Sequence, residues 1–336
     1  MLHILNGDST AQTLTQTGLA GEHLVWKEAL IWGPTPAQKD LSEWCRLRAN
    51  FLAGSNGMDA QQCFEDLMQQ EAALGTLANH DEVVLWFEFD LFCQLNLIYV
   101  LSRLAGRDLS RTRLRLICIG EFPGITNFHG LGQLTAEQLV SLFPGRQPVT
   151  AEQIELGKLA WSACSSSDPR EIELLLAQDT TPLPFLDSAL RLHLRRFPSV
   201  SNGLGWVEQR ALECIERGVH SFPELFSTWN AAEPAYGLGD AQFWDTLIRL
   251  VEVGRPLLRL EGGKSLRFSE NDSNLRHVGF TLTETGRAVL QGERDLWEME
   301  PPELWLGGVR LTPPNPLWRW DEAGQGRHWL DRRSAS

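Results

Sequence analysis

Apolar runs alternate with segments of helical spacing along the first part of the chain. The runs predict strands at 1–5, 24–26, 83–87 and 114–119, and helical spacing is found at 40–52, 59–74 and 91–104. Strands that alternate with helices are typical of parallel β-α-β units, and the continuous apolar run at 83–87 fits a strand buried on both faces. The pattern therefore predicts the α/β class, with a Rossmann-like open parallel sheet over residues 1–134.

The pattern changes at Thr135, beyond which only helical spacing is found for some distance. Thr135 and Thr150 each precede a Gln three residues later, which is typical of a capping box at a helix start. The sequence therefore predicts an all-helical segment over 135–200. The Pro- and Ser-rich stretch at 198–203 is predicted to be a linker.

A different order of elements follows the predicted linker. Helical spacing at 206–217, 222–229 and 240–253 is followed by two short strand patterns, at 256–260 and 278–282, and by a last helix at 283–290. Three helices and then a two-stranded wing is the order of a winged helix. We therefore predict a winged-helix-like domain over 203–292 and a Trp- and Pro-rich tail over 293–336.

Charge restricts the partners that this arrangement can have. The 336-residue chain has a formal net charge of −13, and residues 205–300 hold 10 Lys and Arg against 16 Asp and Glu. Because a domain that reads DNA normally presents a basic surface, we expect no nucleic-acid partner and leave a protein partner for this region open. The longest apolar stretch, 91–104, is too short and too polar to span a bilayer, so we expect no membrane association.

Six cysteines are present, and none lies in a C-x-x-C pair. This spacing gives no support for a zinc site or a redox motif, and the site prediction includes no metal ligand. Since the sequence begins without a signal-peptide pattern, we expect a cytoplasmic, reducing location and no disulfide framework.

A turn of Asn6, Gly7, Asp8 and Ser9 follows the first predicted strand. In an open parallel sheet, ligands bind at the carboxyl ends of the strands, where free N–H groups at a helix start favour an anionic group. The alternative is that Asp8 or Ser9 only caps the next helix. The Gly-Asp-Ser order also resembles lipase-like hydrolases, but no Asp-x-x-His pair exists to activate Ser9. We therefore do not assign Ser9 as a nucleophile.

Carboxylates also follow the other predicted strands. Glu28 comes soon after the second strand, and Glu88 and Asp90 come directly after the third. Several carboxylates at one sheet edge would suit a divalent cation or ribose hydroxyls; alternatively, Asp90 only caps the helix that begins at Leu91. His129 lies in a glycine-containing loop after the last strand, where it is expected to line the same crevice.

Several of these residues belong to a pattern that resembles a bacterial family catalogued as domain of unknown function 1835. The resemblance rests on HILNGDS at 3–9, LVWKE at 24–28, GP at 33–34, LWFE at 85–88, and Asp90, Leu91, Phe92 and Gln94. The helical segment, residues 282–292 and WLGGV at 305–309 resemble the C-terminal part of the family's long members. The family pattern has a His where this chain has Phe89. The resemblance implies a class and no reaction.

Two functions are compatible with these observations. The first is binding of a nucleotide or other phosphorylated small molecule at the sheet edge, with hydrolase or transferase chemistry as an extension. The second is a regulatory or interaction protein that senses a ligand and binds a partner through the winged-helix-like part. The ligand-binding candidates are Asn6, Gly7, Asp8, Ser9, Trp26, Glu28, Glu88, Asp90, Gln94 and His129.

Overall fold

The computed structural model describes residues 1–37, 40–262, 277–313 and 318–321. Its strands are β1 (Leu2–Asn6), β2 (Glu22–Trp26), β3 (Glu82–Glu88), β4 (Arg113–Ile119), β5 (Gln147–Pro148), β6 (Leu258–Glu261), β7 (Gly279–Leu282), β8 (Leu304–Leu306) and β9 (Val309–Leu311). Its α-helices are α1 (Asp8–Thr15), α2 (Leu41–Asn56), α3 (Ala60–Gly75), α4 (Leu91–Leu104), α5 (Ala136–Leu142), α6 (Ala151–Ser165), α7 (Arg170–Leu176), α8 (Leu186–Arg195), α9 (Trp206–Glu216), α10 (Phe222–Ala232), α11 (Asp240–Val251) and α12 (Glu284–Leu290).

The N-terminal sheet has the strand order β2-β1-β3-β4-β5. The first four strands are parallel, as the sequence predicts, and β5 pairs with β4 in the antiparallel direction. The segment predicted to be all-helical thus contributes an edge strand. A strand of two residues that includes Pro148 has no hydrophobic period of its own, so the pattern gives no sign of it.

The two faces of this sheet bury alternate residues of β3. Val83, Leu85 and Phe87 pack into a large core together with α2, α3, α4 and α6. Val84 and Trp86 pack into a smaller core with α1, α5 and the loop at 128–134. Because helices cover both faces, the strand reads as one continuous apolar run. The capping boxes predicted at Thr135 and Thr150 are both present, at the starts of α5 and α6.

The C-terminal part consists of α9, α10 and α11, the antiparallel pair β6–β7, and α12. The stretch predicted as a linker is paired with chain from beyond it: Val200 N–H donates to the Trp320 carbonyl at 3.0 Å, and Trp320 N–H donates to the Pro198 carbonyl at 2.8 Å. The predicted tail contains the hairpin β8–β9, and residues 314–317 and 322–336 of that tail lie outside the described residues.

The hairpin returns to the N-terminal half of the chain. Gly308 N–H donates to the Cys164 carbonyl at 2.9 Å, and the Gly307 carbonyl accepts from Thr35 N–H at 3.0 Å. All six cysteines are free thiols. Within the described ranges, no helix is both long enough and apolar enough to cross a membrane.

Candidate functional site

The carboxyl ends of four parallel strands lie at one edge of the N-terminal sheet. Asn6 is in register with Trp26 across β1 and β2, and Glu88 is in register with Ile119 across β3 and β4. Strands on either side of β1 follow it in the chain, so the direction of winding changes between β1 and β3, the position where ligands bind in open α/β sheets. The predicted residues therefore share an edge, but they lie in three different settings there.

The first setting is a buried network of amide groups around Asn6. The Asn6 side-chain amide donates to Cys93 Sγ at 2.7 Å, and Asn6 Oδ1 accepts from Asn96 Nδ2 at 2.8 Å. Asn96 Nδ2 also donates to the Glu28 carbonyl at 3.0 Å, so the network joins β1, α4 and the chain after β2. Trp26 is buried against the Tyr99 ring, with centroids 5.6 Å apart. These contacts hold β1, α4 and the chain after β2 together at the sheet edge.

Glu28 lies at the far end of this network in a buried ion pair. Arg48 of α2 donates from Nη2 to Glu28 Oε1 at 2.6 Å, and both side chains have no exposed area. The same guanidinium also donates to the carbonyls of Ala29, Trp32 and Pro34. Glu28 thus holds Arg48 in place, and Arg48 in turn binds the loop after β2. The Glu28 side chain is not exposed to solvent.

The second setting is a pair of buried carboxyl groups, Glu88 and Asp90. Glu88 Oε1 accepts from Leu131 N–H at 2.8 Å, and Asp90 Oδ1 accepts from Cys93 N–H at 2.8 Å. Asp90 is therefore the N-cap of α4, as the simpler interpretation predicts. Burial raises the pKa of both groups, and the negative charge of Asp90 raises that of Glu88 further. The fold thus favours retention of a proton on the pair.

Two glycines cover these carboxyl groups. A Cβ atom at Gly130 would overlap Glu88 Oε2, and one at Gly237 would overlap Asp90 Oδ1. Gly130 belongs to the loop after β4, whereas Gly237 belongs to the turn between α10 and α11. Glu88 and Asp90 therefore lie directly against two segments that are far apart in the sequence. Gln94 adds to this by donating from Nε2 to the Glu88 carbonyl at 2.6 Å.

Glu88, Asp90 and Cys93 offer ligand atoms within 4.8 Å of one another. Carboxylate oxygen and thiolate sulfur are metal ligands only when deprotonated. Burial raises the pKa of the Cys93 thiol as it raises those of both carboxyl groups, and one oxygen of each carboxyl already accepts a backbone N–H. Without a cation, the fold therefore favours protons on this donor set.

The third setting is the exposed turn at Gly7, Asp8 and Ser9. Gly7 is the N-cap of α1 at φ +98°, and no side chain caps this helix, so the prediction of Asp8 or Ser9 as the cap is wrong. Both residues lie inside the first turn because glycine takes the boundary position with its left-handed backbone. Asp8 pairs with Lys27 at 2.9 Å, and Ser9 Oγ donates to the Gly132 carbonyl at 3.4 Å.

An open cleft of about 540 Å³ adjoins this edge beyond β4. Its aromatic walls are Phe89, Phe122 and Phe128, and Ala231 and Pro234 come from the C-terminal part. His129 lines this cleft, whereas the other predicted site residues, with which it was expected to share a crevice, do not. Its backbone N–H donates to Gln133 Oε1 at 2.7 Å, and its Nδ1 is buried without a hydrogen-bond partner among the described residues.

Four residues that shape the edge are absent from the sequence prediction: Arg48, Gly130, Leu131 and Gly237. Gly130 and Leu131 belong to the glycine-containing loop noted in the sequence, but the contact of this loop with Glu88 depends on the fold. Arg48 and Gly237 carry no local signal, because each reaches the edge from another element.

Protein-family models and curated proteins were both compared with the chain, and neither comparison gives a match.

Proposed function

We propose that this chain binds a nucleotide or another phosphorylated small molecule at the carboxyl edge of its N-terminal sheet, in the cleft beside His129. The observation that carries the proposal is an open cleft with aromatic walls whose lining also includes His129. A volume of about 540 Å³ lies in the range of small-molecule sites, which combine apolar walls with a few polar groups.

The aromatic walls suit the flat, apolar part of such a ligand. Phe89 and Phe128 lie with ring centroids 6.3 Å apart, and the loop that carries Phe122 closes the other side. A base would stack on these rings, because base–aromatic contacts tolerate any base. His129, Thr126 and Asn127 would supply polar contacts from the same lining.

The start of α1 suits the phosphorylated part. Its first backbone N–H groups receive no side-chain cap, and free space surrounds Gly7. Lys27 lies beside it, paired with Asp8, whose side chain is 73% exposed. A phosphate would take the place of that carboxylate on Lys27 and accept from the helix start. Ser9 contacts Gly132, in the loop that carries His129, which links this turn to the cleft.

A hydrolase or transferase reaction would depend on His129, because it is the predicted site residue that lines the cleft and imidazole is the commonest general acid and base in enzymes. Ser9 donates to a backbone carbonyl, so nothing in its contacts prepares it as a nucleophile.

Calorimetric titration with AMP, ADP and ATP tests the binding proposal, after native mass spectrometry of the purified protein for a retained ligand. We expect saturable binding that His129→Ala weakens by about tenfold, which corresponds to about 1.4 kcal/mol for one lost polar contact. His80→Ala is the matched control, since His80 lies in the turn that precedes β3, at the opposite end of that strand. Equal affinities for the two variants, or no saturation by any of the three nucleotides, would contradict the proposal.

A second function, regulation through the C-terminal part, is favoured by the contact between Asp90 and Gly237. We interpret α9, α10, α11, the β6–β7 pair and α12 as winged-helix-like, and this unit supplies one wall of the cleft. A ligand in the cleft would therefore contact both parts. If the nucleotides change hydrogen exchange in α10 without any turnover, the regulatory function is favoured over the catalytic one.

A further inference from the structure

A second cavity, separate from the cleft at His129, lies where the loop after β2 and α2 meet α9, α11 and the β8–β9 hairpin. Its volume is about 550 Å³. Trp32, Phe51 and Trp305 contribute aromatic surface, and α11 contributes four of the polar side chains. The size again matches small-molecule sites, which occur preferentially between structural units.

Asp245 is the polar group that distinguishes this cavity. Its Oδ2 accepts from the indole N–H of Trp32 at 2.8 Å, and among the described residues no other group hydrogen-bonds to its side chain. Burial raises the pKa of this carboxyl, while the Trp32 bond and the charge of Arg249 act in the opposite direction. A carboxylate with only a neutral donor is costly to bury and gains most from a cationic partner.

Four of the other charged groups around the cavity form ion pairs, and the fifth, Arg196, hydrogen-bonds to neutral groups. Arg249 donates to Glu208 at 2.8 Å, and Arg310 pairs with Glu303 at the exposed mouth. Arg196 donates to the Ile31 carbonyl at 2.6 Å, and its other terminal nitrogen lies 3.5 Å from His193 Nδ1. Asp245 is therefore the acid in this lining that lacks a basic hydrogen-bond partner within the described ranges.

We propose that the cavity binds a small organic amine with an aromatic body, its ammonium group on Asp245 and its ring between Trp32 and Trp305. The carboxylate supplies a charge-assisted hydrogen bond, and aromatic faces attract both a ring and an adjacent cation. The proposal is independent of the nucleotide site, because none of these residues lines the cleft at His129.

Tryptamine and its neutral isostere tryptophol are the probes that test it by calorimetry. We expect tryptamine to bind at least tenfold more tightly than tryptophol, and Asp245→Asn to remove that preference. The same variant is expected to melt at an equal or higher temperature than the parent chain, because Asn still accepts from Trp32 and carries no charge to bury. A residue with a merely structural role would lower the melting temperature when replaced.

Asp240→Asn is the control, since Asp240 is exposed at the start of the same helix. A second measurement does not depend on a carboxyl variant: the indole N–H resonance of Trp32, identified by its loss in Trp32→Phe, should shift with tryptamine and not with tryptophol. Equal affinities for the two probes, or retention of the preference in Asp245→Asn, would overturn the proposal. So would an unshifted Trp32 resonance at saturating tryptamine.

Discussion

Two buried acids at the same sheet edge have partners that differ in charge. Glu28 follows β2 and meets a guanidinium, whereas Glu88 ends β3 and meets a second carboxyl group. Both are almost fully buried, so burial does not distinguish them. The partner determines the role of each acid: Glu28 pairs with the guanidinium that supports the loop after β2, whereas Glu88 favours a proton and lies under glycine backbone.

The largest effect is expected from removing the partner of Glu28. Arg48→Met should lower the free energy of unfolding by about 3–5 kcal/mol, because it leaves an uncompensated buried carboxylate. Three backbone carbonyls lose a donor in the same change. Urea denaturation measures this, with Arg46→Met as the control, since Arg46 lies exposed on the same helix. A loss below 1 kcal/mol would show that the pair does not hold this end of the edge.

An extra atom placed against Glu88 should lower the free energy of unfolding by less than Arg48→Met does. Gly130→Ala places a Cβ atom against Glu88 Oε2 at φ +141° and is expected to destabilise the protein by about 2 kcal/mol. Gly124→Ala, in the same loop at φ +86° and with open space around it, should cost about 1 kcal/mol from backbone strain alone. Equal losses in thermal melts would mean that contact with the carboxyl group is unimportant.

Replacing Glu88 itself should raise the free energy of unfolding at high pH, whereas the two changes above lower it. Its folded-state pKa lies above the ordinary value of 4.5, so its contribution to stability is present below that value and is lost as pH rises through the folded-state pKa. Glu88→Gln should therefore gain about 1 kcal/mol at pH 8 and show a flatter decline of stability with pH. Urea denaturation at pH 5, 6.5 and 8 measures this.

Glu82, at the other end of β3, provides the internal control. The hydrogen bond from Arg146 lowers its pKa, so its contribution is present above pH 4.5 and is lost as pH falls. Glu82→Gln should destabilise the protein at pH 8, the condition in which Glu88→Gln stabilises it. Changes of the same sign in both variants would remove the contrast between the two acids.

The smallest effect on stability is expected at the exposed turn. Asp8→Asn removes only a solvent-exposed pair with Lys27, so the free energy of unfolding should change by less than about 1 kcal/mol. If the start of α1 binds phosphate, the same variant should keep or strengthen nucleotide binding, because it removes a competing carboxylate. Weaker binding would instead assign Asp8 a direct contact with the ligand.

The sequence was sufficient to place β1 to β4, most clearly β3, which is buried on both faces and leaves a continuous apolar run. It gave no sign of β5 or of the β8–β9 hairpin. It also placed Asp8, Glu28, Glu88 and Asp90 at one edge, which follows from parallel strand direction. It was insufficient for their partners: Arg48 reaches Glu28 from α2, and Gly237 reaches Asp90 from beyond α10. Such tertiary contacts leave no local pattern.

The contact between Asp90 and Gly237 also has a consequence for the order of folding. The β-α-β units close short loops, whereas this contact closes a much longer one, so it is expected to form late. Until then the carboxyl groups are in water and ionised at neutral pH. Docking of the C-terminal segment should therefore take up a proton, and refolding in weakly buffered solution with a pH indicator should show a slow rise in pH that Glu88→Gln reduces.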